Sequence, residues 1–480
     1  MKERIVKGIF WIGGASLLSQ VVTWLSTIFV ARILSPADYG LIGLAGIYIG
    51  FAEQVNELGI GAAIIQRKDL QDHDIRGIYT ISIMVGVAMT LITFFLAPVL
   101  SGFFKEERLT DIIRLLSLTF LINSAKSVQR NLMVRDMRFA ELAKMDGGSH
   151  ILTSLSALAF ASAGFGVWTL AIQYLLRNLI LFIWAFLYER RLPGKIREFS
   201  RLKEMLSFGA GISGSNLLLS INRNIDALIV GKLLGKVTLG YYTFAQVLAD
   251  KPFEKVLSIF NQVFFPVFSK IQNDREKRRH YFFRIMELEI FILTPVFVTL
   301  ILVAPELVHV VLGKKWEMMI VPLQVFSGIA IFKYIENRVN VMFNSSGNSG
   351  PQFIYMSTLV PVMAVALFAG AKSIGINGVL SAWGVVFPII FICYLRYFLQ
   401  HMEITWGSFL SIWKVPIFST CVMAISVYLF SSYLQQNDVV NLTLKVTVSL
   451  VAYLIVIYLF NKKVLVELFY LVMNKVKKQD

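Results

Sequence analysis

Apolar runs of about twenty residues or more recur along almost the whole chain, separated by short polar segments. A bilayer core about 30 Å thick is crossed by about 20 helical residues. Measured that way, the pattern predicts fourteen spans, at 9–34, 40–66, 77–104, 112–133, 146–165, 167–190, 205–233, 240–268, 282–312, 319–344, 351–371, 374–400, 408–433 and 440–461. The fifth and sixth are divided only by AGFGVW. The expectation is an all-α polytopic membrane protein.

Polar residues interrupt these runs at helical spacing. The stretch LLLSINRNIDALIVGKLLG, residues 217–235, is apolar enough to span yet carries Arg223 and Asp226 in its middle. An ionisable group at mid-membrane costs roughly 2.5 to 3.5 kcal/mol on insertion scales, so it faces protein or water and marks a pathway. Span 2 places Glu53, Asn56 and Glu57 on one face, and span 4 does the same with Asn123, Lys126, Ser127 and Arg130. Span 6 carries Arg177, and span 7 carries Asn216, Ser220 and Arg223 on one stripe. Span 8 has Asp250, Lys251, Glu254 and Lys255 around Pro252, which removes a backbone donor. Span 10 contributes Lys333, Glu336, Asn337, Arg338, Asn340 and Asn344.

Two readings compete. Arg223 with Asp226, Lys251 with Glu254, or Lys333 with Glu336 would each lock helices together as a pair. A wet cavity explains better why six spans in both halves carry such stripes. Arg130 and Glu57 lie near the cytoplasmic ends and can snorkel, which makes them weaker cavity candidates. Among the remaining groups cations outnumber acids, and amides and hydroxyls abound. That mixture suits an anionic, hydroxyl-rich cargo, because arginine grips phosphate through its fork of donors. Arg223 would hold the phosphate part-way across, with Asn216 and Asn337 among the polar contacts.

Composition agrees with the pattern. Of 480 residues 56% are hydrophobic and 16% charged, with mean hydropathy +0.67, against roughly 45 to 50% and 25% in soluble domains. The net charge of +16 is dispersed among short segments between apolar runs, so it does not describe a nucleic-acid-binding surface. Segments such as RKDLQDHDIR, ERRLPGKIREFSRLK and SKIQNDREKRRHY place most loop lysine and arginine on one side, which the positive-inside rule makes cytoplasmic. Both termini then lie in the cytoplasm. The first apolar run is too long for a signal peptide and reads as an uncleaved span. The tail places Glu467, Tyr470, Asn474 and Lys478 on one stripe, as in an amphipathic helix on the inner leaflet. Cys393 and Cys421 are too few for a disulfide framework or a cysteine metal site.

The two halves echo each other. VARILSPADYGLIGLA from Val30 aligns without a gap to VGKLLGKVTLGYYTFA from Val230, matching Val30, Leu34, Gly40 and Ala45 to Val230, Leu234, Gly240 and Ala245. IGGASLLSQ from Ile12 lines up with FGAGISGSN from Phe208, at a spacing four residues different. Parallel repeats of six spans imply two bundles about an axis along the membrane normal, with a cavity between them. The expected organisation is a six-helix lobe over 1–200, a second over 201–404, and two further spans with the tail over 405–480.

No phosphate-binding loop, H-E-x-x-H or G-x-S-x-G occurs, and the outer loops are short, which disfavours an enzyme. The repeat, the fourteen spans, ARILSPADYGLIGLA and NIDALIVGKLLGKVTLGYYTFAQVLADKP together resemble the polysaccharide flippases of the multidrug, oligosaccharidyl-lipid and polysaccharide exporter superfamily. The resemblance covers essentially the whole chain and is closest to exporters of the colanic-acid and teichuronic-acid type. It implies a bacterial cytoplasmic-membrane protein, working as a monomer without a cofactor alongside polysaccharide polymerase and assembly proteins. Its substrate would be undecaprenyl-pyrophosphate-linked oligosaccharide, moved between leaflets by alternating access. By matching span and depth, pyrophosphate and sugar binding falls first on Arg223, then on Lys126, Arg177, Lys251 and Lys333. Glu53, Glu57, Asp226 and Glu254 stand as candidate proton or sodium coupling residues. The alternatives are a cation-coupled drug antiporter of the same superfamily and a membrane polysaccharide polymerase.

Overall fold

The structure is a computed structural model that describes residues 19–57, 59–67, 69–197, 202–205, 207, 220, 224–251, 268, 271, 274–431 and 437–462. Among the described residues every regular element is a helix. Seven helices among the described residues are each long and apolar enough to cross a bilayer unaided. Large apolar side chains such as Phe95, Phe353, Val365 and Leu459 point outward, the inverse of a soluble surface and the arrangement a lipid solvent requires.

The chain divides into two compact units, Met1–Gly240 and Tyr241–Asp480. In the first, α1 (Ser19–Ile33) turns by 117° into α2 (Pro36–Glu57). The motif SPAD makes that corner. Ser35 N donates to Asp38 Oδ2 at 2.9 Å and Asp38 N donates back to Ser35 Oγ at 3.3 Å, a reciprocal cap. Pro36 opens the helix, where its missing N–H is one of the free donors anyway. The span expected at 40–66 is two helices, because Gly59 takes a left-handed φ of 60° and restarts the chain as α3 (Ile60–Gln66).

Four longer helices follow: α4 (Asp72–Phe104), α5 (Leu109–Arg135), α6 (Phe139–Ser162) and α7 (Trp168–Glu189). The AGFGVW boundary is a true break, with Gly164 and Gly166 at φ 81° and 54° between α6 and α7. Helices α4 and α5 approach closely through small residues. A Cβ on Gly86 would fall 2.5 Å from Ser124 Oγ, and Ser82 and Thr90 hydroxyls donate to the carbonyls of Ser124 and Ser117, both at 3.0 Å. In a membrane such packing and interhelical hydrogen bonding replace the hydrophobic effect.

Residues 224–251 are helical and form α8, where a loop was expected between spans ending at 233 and beginning at 240. A left-handed φ of 82° at Gly235 is the remnant of that break. Gly235 is the repeat equivalent of Ser35, at the α1–α2 corner. The repeats also touch. A Cβ on Gly40 would lie 1.7 Å from Lys236 O, and a Cβ on Gly240 would lie 1.9 Å from Pro36 O. Positions 36 and 40 correspond to 236 and 240, so the contact is reciprocal, as around a two-fold axis. Lys236 pairs with Glu106 at 2.6 Å beside it.

The second unit contains α9 (Arg275–Leu307), α10 (Ile320–Ser345), α11 (Gly350–Ile374), α12 (Ile376–Ser381), α13 (Phe387–His401), α14 (Trp406–Ser411), α15 (Lys414–Ser431) and α16 (Asp438–Phe460). Its charges lock helices. Arg338 of α10 and Glu289 of α9 form a two-point ion pair, Arg338 Nε to Glu289 Oε2 being 3.0 Å, with both side chains fully buried. Tyr453 OH donates to Phe291 O at 2.9 Å, and Lys445 pairs with Glu306 at 2.6 Å, tying α16 to α9. Arg338 was expected among the cavity cations. It is instead a helix lock, because α10 turns that face toward α9 and away from open space.

Two outcomes follow from this packing. Gly40→Val should abolish recovery of folded protein by driving a methyl into the Lys236 carbonyl, whereas Gly46→Val, whose Cβ meets nothing within 4 Å, should be tolerated; detergent-extracted yield reads both. Glu289→Leu should destabilise the fold by about 3 to 5 kcal/mol by stranding Arg338. Adding Arg338→Leu should restore most of that loss in a thermal unfolding assay.

Candidate functional site

Three helices of the first unit turn polar faces toward one another and, with Ser82 of α4, line a cavity of about 390 Å³. Helix α2 contributes Glu53, Asn56 and Glu57, α5 contributes Asn123, Lys126, Ser127 and Arg130, and α7 contributes Tyr174, Arg177 and Asn178. The spacing on each helix is three or four residues, so each set shares a face. The stripes expected on spans 2, 4 and 6 therefore converge on a single space. Lys126 lies nine residues before the end of α5, about 14 Å along the axis at 1.5 Å per residue, well within a bilayer.

The charges in this cavity are held in three ways. Glu53 Oε1 accepts from Asn123 Nδ2 at 2.9 Å and from Tyr174 OH at 2.7 Å, which anchors α2 to α5 and α7. Arg130 makes a bidentate pair with Asp146 of α6, at 3.0 and 2.9 Å. Lys126 and Arg177 have only neutral partners. Lys126 Nζ donates to Asn178 Oδ1 at 2.8 Å, and Arg177 NH2 lies 3.0 Å from His150 Nε2. A guanidinium only donates, so that contact uses the imidazole lone pair. Among the described residues neither cation has a carboxylate within ion-pair distance. Arg177 Nε is buried without any hydrogen-bond partner.

Burying a cation without a counter-charge is costly. Two of them stand on the wall of this one cavity. Glu57, on the same wall, is exposed.

None of the other expected site residues that are described lines this cavity. Lys333 of the second unit lies 3.5 Å from Asp250 and 5.4 Å from the centroid of the Trp383 ring, so its ion pair within 4 Å is with Asp250 of α8, where the sequence offers Glu336 as one possible partner. Asn337 is half-buried on α10, and Lys251 is exposed near the end of α8. Asp226 is buried, and its Oδ1 accepts from Ala227 N at 2.7 Å. Arg223, Asn216 and Glu254 lie outside the described residues.

Four groups at the cavity went unnoticed in the sequence: Asp146, His150, Tyr174 and Asn178. Helix α6 begins at Phe139, not at 146, so Asp146 sits two turns inside the helix. Its four-residue spacing to His150 was the signal available. Tyr174, Arg177 and Asn178 likewise repeat the three-and-four spacing of α2 and α5.

An all-α, multi-pass membrane fold with a polar, cation-lined cavity inside a helix bundle defines a transporter class. Residues 29–321 match the family described as polysaccharide biosynthesis protein, and the chain belongs to that family. It is 25% identical to an uncharacterised membrane protein in the cps region of Klebsiella pneumoniae, over 98% of this chain and 97% of the relative. The lipopolysaccharide biosynthesis protein WzxC of Escherichia coli K12 is 24% identical over 83% and 84% of the two chains. Among solved structures, the lipid II flippase MurJ in an inward closed conformation superposes with a TM-score of 0.74 at 14% identity, covering 95% of this chain and all of that one. At that identity the likeness is one of fold.

Proposed function

We propose that the chain is a flippase that carries an undecaprenyl-pyrophosphate-linked oligosaccharide from the inner to the outer leaflet of the bacterial cytoplasmic membrane by alternating access. The observation that carries this reading is the pair Lys126 and Arg177, which face one cavity with neutral partners only. A pyrophosphate supplies the missing counter-charge, and its several oxygens match the lysine ammonium and the arginine fork together. Membership of a polysaccharide biosynthesis family supports the glycan part of the substrate, and a fold shared with a lipid flippase favours transport over a membrane polymerase.

In this scheme the first six-helix lobe spans 1–200, the second 201–404, and 405–480 is an appendage, with both termini cytoplasmic and the chain acting as a monomer beside its polymerase. Arg223, Lys251, Lys333, Asn216 and Asn337 are later contacts along the path. Proton or sodium coupling falls to Glu57, Asp226 or Glu254 ahead of Glu53, whose carboxylate already anchors three helices. The cations favour this substrate over the cationic drugs of an antiporter.

Deleting the gene should accumulate undecaprenyl-linked oligosaccharide on the inner leaflet, read by mass spectrometry with a membrane-impermeant label. Wild type should reverse the accumulation. Arg177→Met should transport about tenfold to a hundredfold more slowly, the size of one lost charged hydrogen bond, while still inserting. An unchanged inner-leaflet pool on deletion would overturn the reading.

A further inference from the structure

A second cavity of about 530 Å³ lies between α1 and α6, lined by Ser19, Gln20 and Thr23 on one side and Lys144, Asp146 and His150 on the other. It adjoins the first, for the wall between them is made of two cross-links. Arg130 lines the first cavity and its partner Asp146 lines the second; Arg177 lines the first and its partner His150 lines the second. Asp146 and His150 are four residues apart, so one face of α6 carries both links.

We propose that the second cavity is a sugar subsite, coupled to the anion subsite of the first through the Arg130–Asp146 pair; this rests on the flippase reading. The two cavities differ in chemistry. The first holds two cations, Lys126 and Arg177, with neutral partners, whereas the second offers the Asp146 carboxylate, the His150 ring, hydroxyls and an amide, donors and acceptors suited to a neutral polyol. Its lysine, Lys144, is exposed, and a carboxylate on the wall argues against a second phosphate.

The bidentate pair links the two. A pyrophosphate entering the first cavity competes for the Arg130 fork, since phosphate and carboxylate accept it in the same geometry. Once Arg130 turns to the phosphate, Asp146 is left with acceptor oxygens facing the second cavity. Neighbouring hydroxyls of a sugar attached to that pyrophosphate satisfy them. Each half of the substrate thus favours binding of the other, and by linkage the effect is reciprocal. A substrate with phosphate but no sugar would break the pair without replacing it, so the latch selects for the glycan-bearing lipid.

The test titrates two lipids onto the full-length protein in detergent, followed by native mass spectrometry. One is bare undecaprenyl pyrophosphate and the other is the undecaprenyl-pyrophosphate glycan extracted from the strain that encodes the chain. Wild type should prefer the glycan form. Asp146→Asn should bind the bare lipid about fivefold tighter or more, because Arg130 is released, and should lose the preference for the glycan form. Gln20→Leu combined with Thr23→Val should leave the bare lipid unchanged and weaken the glycan form by about fivefold. Equal changes for both lipids, or no change, in the Gln20 and Thr23 variant would overturn the sugar subsite, and this variant decides the matter alone if Asp146→Asn does not fold. Weaker binding of the bare lipid to Asp146→Asn would overturn the latch. Failure of wild type to bind either lipid would remove the flippase reading itself, a result distinct from the others.

Discussion

A charged side chain within a hydrocarbon layer must meet an opposite charge, a set of dipoles or water. The arrangement of this protein follows from how each charge meets that condition. Arg338, with Glu289 bound at two points and no exposure, has its charge met within the protein, although its NH1 is buried without a hydrogen-bond partner. Lys445 and Glu306 are nearly so. Arg130 is paired but borders open space, so its partner can be exchanged. Lys126 and Arg177 are met only by the dipoles of Asn178 and His150, and their demand for an anion is directed outward. The same physical requirement therefore yields a helix lock, a latch and a receptor, depending on whether the partner is a carboxylate and whether water can reach it.

This gradation explains why surplus charge alone is a poor guide to function. The sequence shows eight cations within apolar runs but does not show which face of a helix meets which neighbour. Arg338 and Lys126 look alike along the chain, each in a polar stripe of an apolar helix. Arg338 falls on the side of α10 that packs against α9, where Glu289 stands six residues before Pro295. Glu289 passes unnoticed in the sequence because, within the span expected at 282–312, no polar residue stands three or four positions from it and it belongs to no stripe. Helix periodicity, by contrast, is visible without any structure, and it placed Glu53, Asn56, Lys126 and Arg130 on faces that do converge. Boundaries were harder to see. Asp146 was read as a terminal residue because hydropathy falls before it, although the backbone is already helical from Phe139; a polar first turn or two is invisible to a ruler based on apolar length. Gly59 posed the opposite problem, since an apolar run continues through a left-handed residue that ends the helix.

The duplicated motif was legible as matched letters, and its physical content is a backbone contact. Gly40 and Gly240 are conspicuous because each receives a carbonyl where a Cβ would stand, from positions 236 and 36 respectively. Equivalent residues of a repeat need not touch; when they do so reciprocally, each copy imposes on the other the requirement for glycine. The polar corner then differs between copies. In the first, Ser35, Pro36 and Asp38 cap a fresh helix through a sharp turn. In the second, Gly235 and Lys236 let the chain pass with a single left-handed residue, and the lysine reaches Glu106. The repeat thus preserves the crossing point and not the local chemistry around it.

The asymmetry between the units bears on mechanism. In the first unit two acids beside the cavity are already engaged: Glu53 accepts from a tyrosine and an asparagine, and Asp146 from Arg130. In the second, Lys333 has Asp250 nearby and the face of Trp383 above it, so its charge is partly met before any cargo arrives. An anion entering such a protein experiences the steepest gain where the cations are least satisfied, which among the described residues is between α2, α5 and α7. Moving onward requires that this advantage be surrendered, and a carboxylate able to reclaim its arginine provides the means. Asp146 re-forms its pair with Arg130 as the phosphate departs, so the empty cavity is less positive than the sum of its cations. A receptor built only from unpartnered cations would hold its anion too tightly to release it. Placing one exchangeable carboxylate beside two cations that have only neutral partners among the described residues allows the same site to bind and to let go.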